Sequence, residues 1–127
     1  MESPNILFVF SDDHAWQSIG AYGGRLKNVA HTPHIDKLAS EGMLFRKCFV
    51  ANALCGPSRA AVLTGKYGHR NGVTWNKNTN FDGSQQTFPK MMRKKGYQTA
   101  IIGKWHLASV PTGFDYFDVM KGQGRYY

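Results

Sequence analysis

The chain is poor in cysteine and in acidic residues, and it lacks any long apolar run. Two cysteines, Cys48 and Cys55, are too few to indicate a disulfide framework in 127 residues. No segment is long and apolar enough to span a membrane, and no signal peptide precedes the first apolar segment. The length fits a single domain, residues 1–127, and the sequence as it stands predicts a cytoplasmic protein.

Positive charge predominates, with 16 Lys and Arg against 8 Asp and Glu and a formal net charge of +8. Such a surface steers polyanions, whether anionic glycans or nucleic acids. The one dense basic patch in the sequence is residues 90–95, which we interpret as the solvated face of a helix. No motif of a nucleic-acid-binding module is present, so that class of function is the least favoured.

Two apolar segments in the first half of the chain predict strands. Residues 5–10 form an apolar run that is typical of a strand buried on both faces, and Asp12 and Asp13 follow its end. Residues 43–50 predict a second strand. Cys48 lies within it, and we expect a buried structural thiol there.

Helices are marked by proline at the start and glycine at the end. Thr32 as N-cap and proline at residue 33 predict a helix that ends at Gly42. Residues 87–89, Thr-Phe-Pro, open another helix that ends at Gly96. Residues 66–86 are polar and rich in Asn and Gly, which predicts a long loop of the kind that often carries function.

The most informative segment is residues 53–65, which reads Ala-Leu-Cys-Gly-Pro-Ser-Arg-Ala-Ala-Val-Leu-Thr-Gly. Its proline suits the first turn of a helix, Gly65 suits the C-cap, and Val62 and Leu63 would lie on the buried side. Cys55 then begins the helix with Arg59 one turn on, a setting that favours anions and activated nucleophiles. A buried structural cysteine does not account for Pro, Ser and Arg at these offsets.

A third strand is predicted over residues 98–102, with Lys104 and His106 at its carboxyl end. The three strands would then deliver the aspartate pair, Cys55, and Lys104 with His106 to one edge of a parallel sheet, where ligands bind in open α/β folds. Because Lys104 and His106 are two residues apart at a strand end, we expect their side chains to point the same way. The sequence therefore predicts an α/β fold with a convergent polar site.

Four segments in consecutive order resemble the type I sulfatases. Residues 55–65 resemble the family signature Cys-x-Pro-Ser-Arg followed by two residues, two apolar residues and Thr-Gly. Residues 96–106 match the second signature, Gly-Tyr-x-Thr and then Gly-Lys-Trp-His. Residues 5–13 resemble the first strand with its paired metal carboxylates, and residues 31–42 resemble the Thr-Pro-Asn-hydrophobic-Asp helix start. Together they cover nearly the whole chain, far more than a single motif would.

The resemblance carries expectations about fold and completeness. It implies an alkaline-phosphatase-like α/β sandwich with a mostly parallel central sheet, of which this chain would be the N-terminal part. Residues 113–117 and 122–127 resemble a segment of bacterial sulfatases that act on glycosaminoglycan or mucin sugars, such as N-acetylglucosamine-6-sulfatase-like enzymes. The family's later metal ligands and sulfate-binding residues have no counterpart here, so we expect the chain alone to be weakly active or inactive.

The resemblance also assigns the chemistry. Cys55 corresponds to the cysteine that a formylglycine-generating or anaerobic sulfatase-maturating enzyme oxidises to formylglycine. One hydroxyl of the hydrated aldehyde attacks sulfur, and the other loses its proton and releases sulfate. Arg59 would hydrogen-bond the formylglycine, and Lys104 would contact it or the sulfate. His106 would take the diol proton.

The paired aspartates are the implied metal ligands. Asp12 and Asp13, with the modified Cys55, would bind one Ca²⁺ ion, which prefers hard oxygen ligands and would act as a Lewis acid. The competing interpretation is a capping or loop pair, since acidic pairs are common in loops.

These implications favour a sulfuric ester hydrolase that acts on sulfate monoesters of a sulfated carbohydrate. One alternative is a phosphonate or phosphate monoester hydrolase, because relatives of that kind share Cys-x-Pro-x-Arg. Another is a non-catalytic fragment that binds sulfated glycans through its basic surface. Relatives are often periplasmic, secreted or lysosomal. The weaker candidates for substrate contacts are His14, Lys66, His69 and Arg70. Trp16 and Trp75 could stack on sugar rings, but core packing is favoured for both.

Overall fold

The computed structural model describes residues 3–77, 79–120 and 122–124, which belong to two compact units, Met1–Cys48 and Phe49–Tyr127. Of residues 122–127, the terminal segment that resembles bacterial sulfatases, residues 125–127 lie outside the described residues. In the part of the chain that is described, no helix is both long enough and apolar enough to cross a membrane.

The first unit contains two short 3₁₀ helices, Trp16–Ser18 and Gly20–Tyr22, and helix α1, Pro33–Glu41. Proline in the first turn fits α1 because its missing N–H has no partner inside the helix. Gly42 closes α1 by donating its N–H to the Leu38 carbonyl at 2.9 Å. The helix predicted from residue 33 to Gly42 is therefore confirmed.

Thr32 occupies the N-cap of α1, as predicted, but its hydroxyl does not cap the helix. The hydroxyl oxygen accepts the Gly20 N–H at 2.9 Å and the hydroxyl donates to Asp36 Oδ1 at 3.0 Å. The same carboxylate oxygen accepts the Ala21 N–H at 2.7 Å. The second 3₁₀ helix is thus held against the start of α1, and a Cβ at Gly20 would overlap the Asp36 carboxylate.

The two strands predicted in the first half of the chain are wrong. Residues 5–10 and 43–50 join no β-ladder within the described residues, and Val9 and Phe49 are 78% and 89% exposed. Cys48, predicted to be buried, is exposed. A strand exists only where a neighbouring segment accepts its backbone hydrogen bonds, and an apolar run does not specify that neighbour.

The second unit contains three helices, α2, Cys55–Thr64, α3, Gly68–Asn71, and α4, Phe88–Lys94. Helix α2 begins at Cys55 and ends at Gly65, which has a φ of 68° and donates to the Ala61 carbonyl, as predicted. Helix α4 starts where predicted and ends two residues before Gly96. Helix α3 interrupts the predicted loop of residues 66–86.

Strands β1, Ala100–Lys104, and β2, Tyr116–Met120, pair in parallel with Ala100 opposite Tyr116 and Lys104 opposite Met120. Strand β1 starts two residues later than the predicted strand and includes Lys104, and β2 was not predicted. The connection between the strands buries its own side chains, Trp105 and Leu107, in the core. The predicted parallel arrangement is therefore present on a smaller scale than expected.

Among the described residues of the second unit, the core is formed by Ala60, Leu63, Val73, Phe81, Trp105 and Leu107, which are buried and apolar. Ala60 and Leu63 are three positions apart and share the buried face of α2. Val62, predicted to be buried, is 39% exposed because it lies off that face.

The basic segment 90–95 is only partly a solvated face. Lys90 Nζ donates to the Gln85 carbonyl at 2.8 Å and also to the Gly83 carbonyl. Arg93 pairs with Asp115 at 2.9 Å. Two of its positive charges are therefore engaged inside the unit, which leaves Lys94 and Lys95 exposed.

Asp115 makes the second unit sensitive to acid. The backbone N–H of Thr99, its hydroxyl and the Arg93 guanidinium hold the pKa of this carboxyl below its usual range. Because the folded pKa lies below the unfolded one, this stabilisation is present above the unfolded pKa and is lost as pH falls through the folded value. Below about pH 4, we expect the thermal midpoint of Asp115→Asn to fall less steeply with decreasing pH than that of the parent chain. Thermal scans of both proteins across acidic pH test this, and parallel pH profiles would contradict it.

Candidate active site

The first turn of α2 places Cys55 at the start of a helix whose approach is fixed by side chains. Asn52 Oδ1 accepts the Leu54 N–H at 2.9 Å, which orients the chain before Cys55. Pro57 is buried and has no N–H, as suits the first turn. Cys55 itself is half-buried, so it is held in place and still reachable from solvent.

Gly56 lies in a tight contact with three other parts of the second unit. Its N–H donates to Asn76 Oδ1 at 3.0 Å. A Cβ built on it would lie 2.6 Å from Thr79 Cγ2 and 3.3 Å from both Asn76 Oδ1 and the His106 carbonyl oxygen. Only glycine leaves room for this approach, so the chain beside Cys55 packs directly on Asn76, Thr79 and His106.

Arg59 links α2 to the end of β1. It lies one turn after Cys55, and its Nη1 donates to the Lys104 carbonyl oxygen at 2.6 Å, across 45 residues of sequence. A guanidinium held by a carbonyl keeps a fixed orientation. The bond joins the two segments that carry the sequence signatures.

His106 lies two residues beyond the end of β1 and is not part of the strand. Strand β1 ends at Lys104, and His106 has a φ of 53°, in the left-handed region. The alternation of side chains along a strand therefore does not relate Lys104 to His106. His106 is 6% exposed and Lys104 is half-buried, so the two residues occupy different environments.

Trp105 anchors this turn. It is 5% exposed, its Nε1 donates to the Ser109 carbonyl at 2.6 Å, and its ring meets Phe114 edge-on at 6.2 Å. The large buried ring lies between Lys104 and His106 in the chain and holds both against the core.

Asp12 and Asp13 belong to the first unit, where they form a turn after residues 5–10. Asp12 is half-buried, and Asp13 is exposed with a φ of 52°, a conformation that aspartate tolerates better than most residues. Ser11 Oγ and His14 Nδ1 lie 3.2 Å apart beside them. The pair offers adjacent carboxylates, the ligand type that Ca²⁺ prefers. Their role as metal ligands stays a prediction.

The weaker candidates are mostly on the surface. Tyr67 and His69 stack with ring centroids 6.0 Å apart, and Lys66 Nζ lies 3.4 Å from Gln85 Oε1. Trp16 and Trp75 are each 56% exposed, so the expectation that they pack in the core is wrong for both.

Asn76 and Thr79 were missed by the sequence reasoning. Both lie in the segment interpreted as a long polar loop, and the only local signal is its richness in asparagine. Their contact with Gly56 joins residues 20 positions apart or more, which no local pattern specifies.

Comparison with known proteins shows which family this chain resembles in sequence and structure. Residues 4–124 match the family described as Sulfatase. The chain is 53% identical over 127 residues to the N-acetylglucosamine-6-O-sulfatase of Bacteroides thetaiotaomicron, covering 98% of this chain and 22% of that protein. It is 39% identical over 122 residues to the human N-acetylgalactosamine-6-sulfatase, covering 87% of this chain and 23% of that protein.

A solved structure of a protein in complex with its substrate D-glucosamine-2-N,6-O-disulfate superposes with a TM-score of 0.89 and 52% identity, over 96% of this chain and 24% of that one. This similarity confirms the predicted alkaline-phosphatase-like α/β class. The chain spans about a quarter of the length of these relatives, 22% to 24%. A family match over nearly every residue and this level of identity lead to one conclusion: the chain belongs to the sulfatase family.

Proposed function

We propose that this chain supplies the nucleophile-bearing part of an enzyme that hydrolyses sulfate monoesters of a 6-O-sulfated amino sugar. The observation that carries the proposal is the Arg59–Lys104 hydrogen bond, which brings the Cys55 helix to the Gly-Lys-Trp-His segment. Support for the substrate comes from a relative named as an N-acetylglucosamine-6-O-sulfatase and from a similar solved structure in complex with D-glucosamine-2-N,6-O-disulfate.

The candidate site residues of the second unit, at positions 55, 59, 104 and 106, each have a role in this proposal. Formylglycine at position 55 supplies both the attacking hydroxyl and the release of sulfate. The Arg59 guanidinium, fixed by the Lys104 carbonyl, neutralises negative charge one turn from residue 55. The Lys104 ammonium binds a sulfate oxygen, and the His106 imidazole accepts the proton of the second hydroxyl.

Asp12 and Asp13 fit the divalent metal that the family uses, because two adjacent carboxylates give hard oxygen donors at one turn. A Ca²⁺ ion held by these carboxylates would supply Lewis-acid polarisation.

A chimera tests the proposal. This chain replaces the corresponding N-terminal segment of the Bacteroides thetaiotaomicron relative, and the hybrid is produced in a host that matures sulfatases. We expect peptide mass spectrometry to find an aldehyde in place of the Cys55 thiol, and we expect sulfate release from glucosamine 6-sulfate. Cys55→Ala is expected to lower kcat/KM roughly a thousandfold or more, because the nucleophile is lost.

Cys48→Ala is the matched control, since Cys48 is the other cysteine and is exposed. It is expected to leave both readouts unchanged. A chimera that folds but hydrolyses an aryl phosphate faster than an aryl sulfate would favour the phosphomonoesterase alternative. Retention on heparin by this chain that survives both chelation and Cys55→Ala, with no sulfate release by the chimera, would favour the glycan-binding alternative.

A further inference from the structure

The start of α2 receives no side-chain cap from the residue before it. Leu54 occupies the N-cap position and makes no side-chain hydrogen bond to the first turn. The N–H groups of a first turn have no partner inside the helix. Pro57 removes one of these donors, and Gly56 carries another that has to be satisfied from outside.

Asn76 provides that acceptor from 20 residues away. Its Oδ1 accepts the Gly56 N–H at 3.0 Å, and Thr79 packs on the same glycine. Gly56 is buried, so without Asn76 its N–H would lose its acceptor in a place that water does not freely reach. The Asn76 side chain therefore caps α2 in place of an N-cap residue. Its hydrogen bond is to Gly56, the residue directly after Cys55.

We propose that Asn76 is a positioning residue for the nucleophile: by capping α2 from a distant loop, it fixes the backbone at Gly56 and with it the position of residue 55. This inference rests on the proposed function in one respect, that residue 55 is the nucleophile. Its importance follows from geometry, because a displacement of about 1 Å in a reacting group costs roughly a hundredfold in rate.

The test uses the full chain with Cys55 as the free thiol, and compares three variants. Asn76→Ala removes the acceptor, and Asn76→Asp keeps an oxygen acceptor of the same length. Asn71→Ala is the matched control, because Asn71 is another asparagine of the second unit whose Oδ1 accepts a backbone N–H, that of Val73, at 2.9 Å. Asn71 is buried and Asn76 is half-buried. The Asn71 side chain bonds to the backbone on either side of α3, at Lys66 and Val73, and Asn71 is not among the residues that pack on Gly56.

Two readouts follow the start of α2 directly. One is hydrogen exchange of the Gly56 amide, and the other is the alkylation rate of Cys55 divided by that of Cys48, an exposed internal reference. We expect Asn76→Ala to raise both by about fivefold, since a helix end that loses one hydrogen bond opens more often. Asn76→Asp is expected to restore both to within about twofold of the parent chain.

Asn71→Ala is expected to lower the thermal midpoint while leaving both readouts at their parent values. Unchanged Gly56 exchange in Asn76→Ala, equal increases in Asn71→Ala, or failure of Asn76→Asp to restore the readouts would each overturn the proposal. None of these measurements requires sulfate turnover. A chimera that fails to hydrolyse sulfate esters would therefore refute the proposed function. It would leave the conclusion about the hydrogen bond between Gly56 and Asn76 unchanged.

Discussion

Replacing Gly56 by alanine is expected to destabilise the second unit by about 1–3 kcal/mol, although alanine is the better helix former. The reason is space: the new Cβ would lie 2.6 Å from Thr79 Cγ2, closer than side-chain carbons approach. Thr79 is 8% exposed and has little freedom to move away. Urea unfolding of parent and variant measures the difference.

Thr79→Ala gives this prediction its internal control. It removes the Cγ2 that Gly56→Ala would meet, so the double variant is expected to recover part of the loss. A coupling free energy of about 0.5–3 kcal/mol between the two sites is the expected result of the cycle. Strictly additive effects, or a Gly56→Ala protein as stable as the parent, would contradict the packing argument. Its confirmation would mean that the variable position of Cys-x-Pro-Ser-Arg is restricted to glycine in this chain.

Trp105→Ala is expected to have the largest effect on stability, a loss of about 3–5 kcal/mol. The ring is 5% exposed and packs edge-on against Phe114, so its removal leaves a cavity in the core. Trp105→Phe keeps an aromatic ring but leaves the Ser109 carbonyl without the indole donor, and we expect a smaller loss of about 1–3 kcal/mol. Denaturant unfolding monitored by circular dichroism gives both values.

Trp75→Ala is the matched control for residue type. Trp75 is 56% exposed, so its replacement is expected to change the free energy of unfolding by no more than about 0.5 kcal/mol. Similar losses for Trp75→Ala and Trp105→Ala would show that the connection between β1 and β2 is not a structural anchor.

Helices α1, α2 and α4 were predictable from the sequence, whereas only one of the three predicted strands, residues 98–102, has a counterpart, β1. The reason is physical. Helix ends are encoded locally: the Pro residues at the starts of α1 and α4 and the glycine at the end of α2 act within a single turn. A strand depends on a partner elsewhere in the chain. Residues 5–10 therefore have the composition of a buried strand while lying exposed outside any ladder that the structure describes.

The candidate site was likewise predictable only in part. Sequence signatures identified Cys55, Arg59 and Lys104, and the structure brings Arg59 to the backbone of Lys104. Strand alternation cannot be used to orient His106, because its φ is positive and it lies outside β1. Asn76 was missed because its capping bond exists only in three dimensions.

The remote cap also sets an order of events during synthesis. Helix α2 can close its C-terminal end as soon as Gly65 is made, since that bond spans only four residues, to Ala61. Its N-terminal end waits for Asn76, 11 residues after Gly65, and the Arg59 side chain waits for Lys104, 39 residues after Gly65. At about 5–20 residues per second, these steps follow Gly65 by roughly 0.5 to 8 seconds. The nascent helix is therefore secured at its C-terminal end first, at the Cys55 end next, and at Arg59 last.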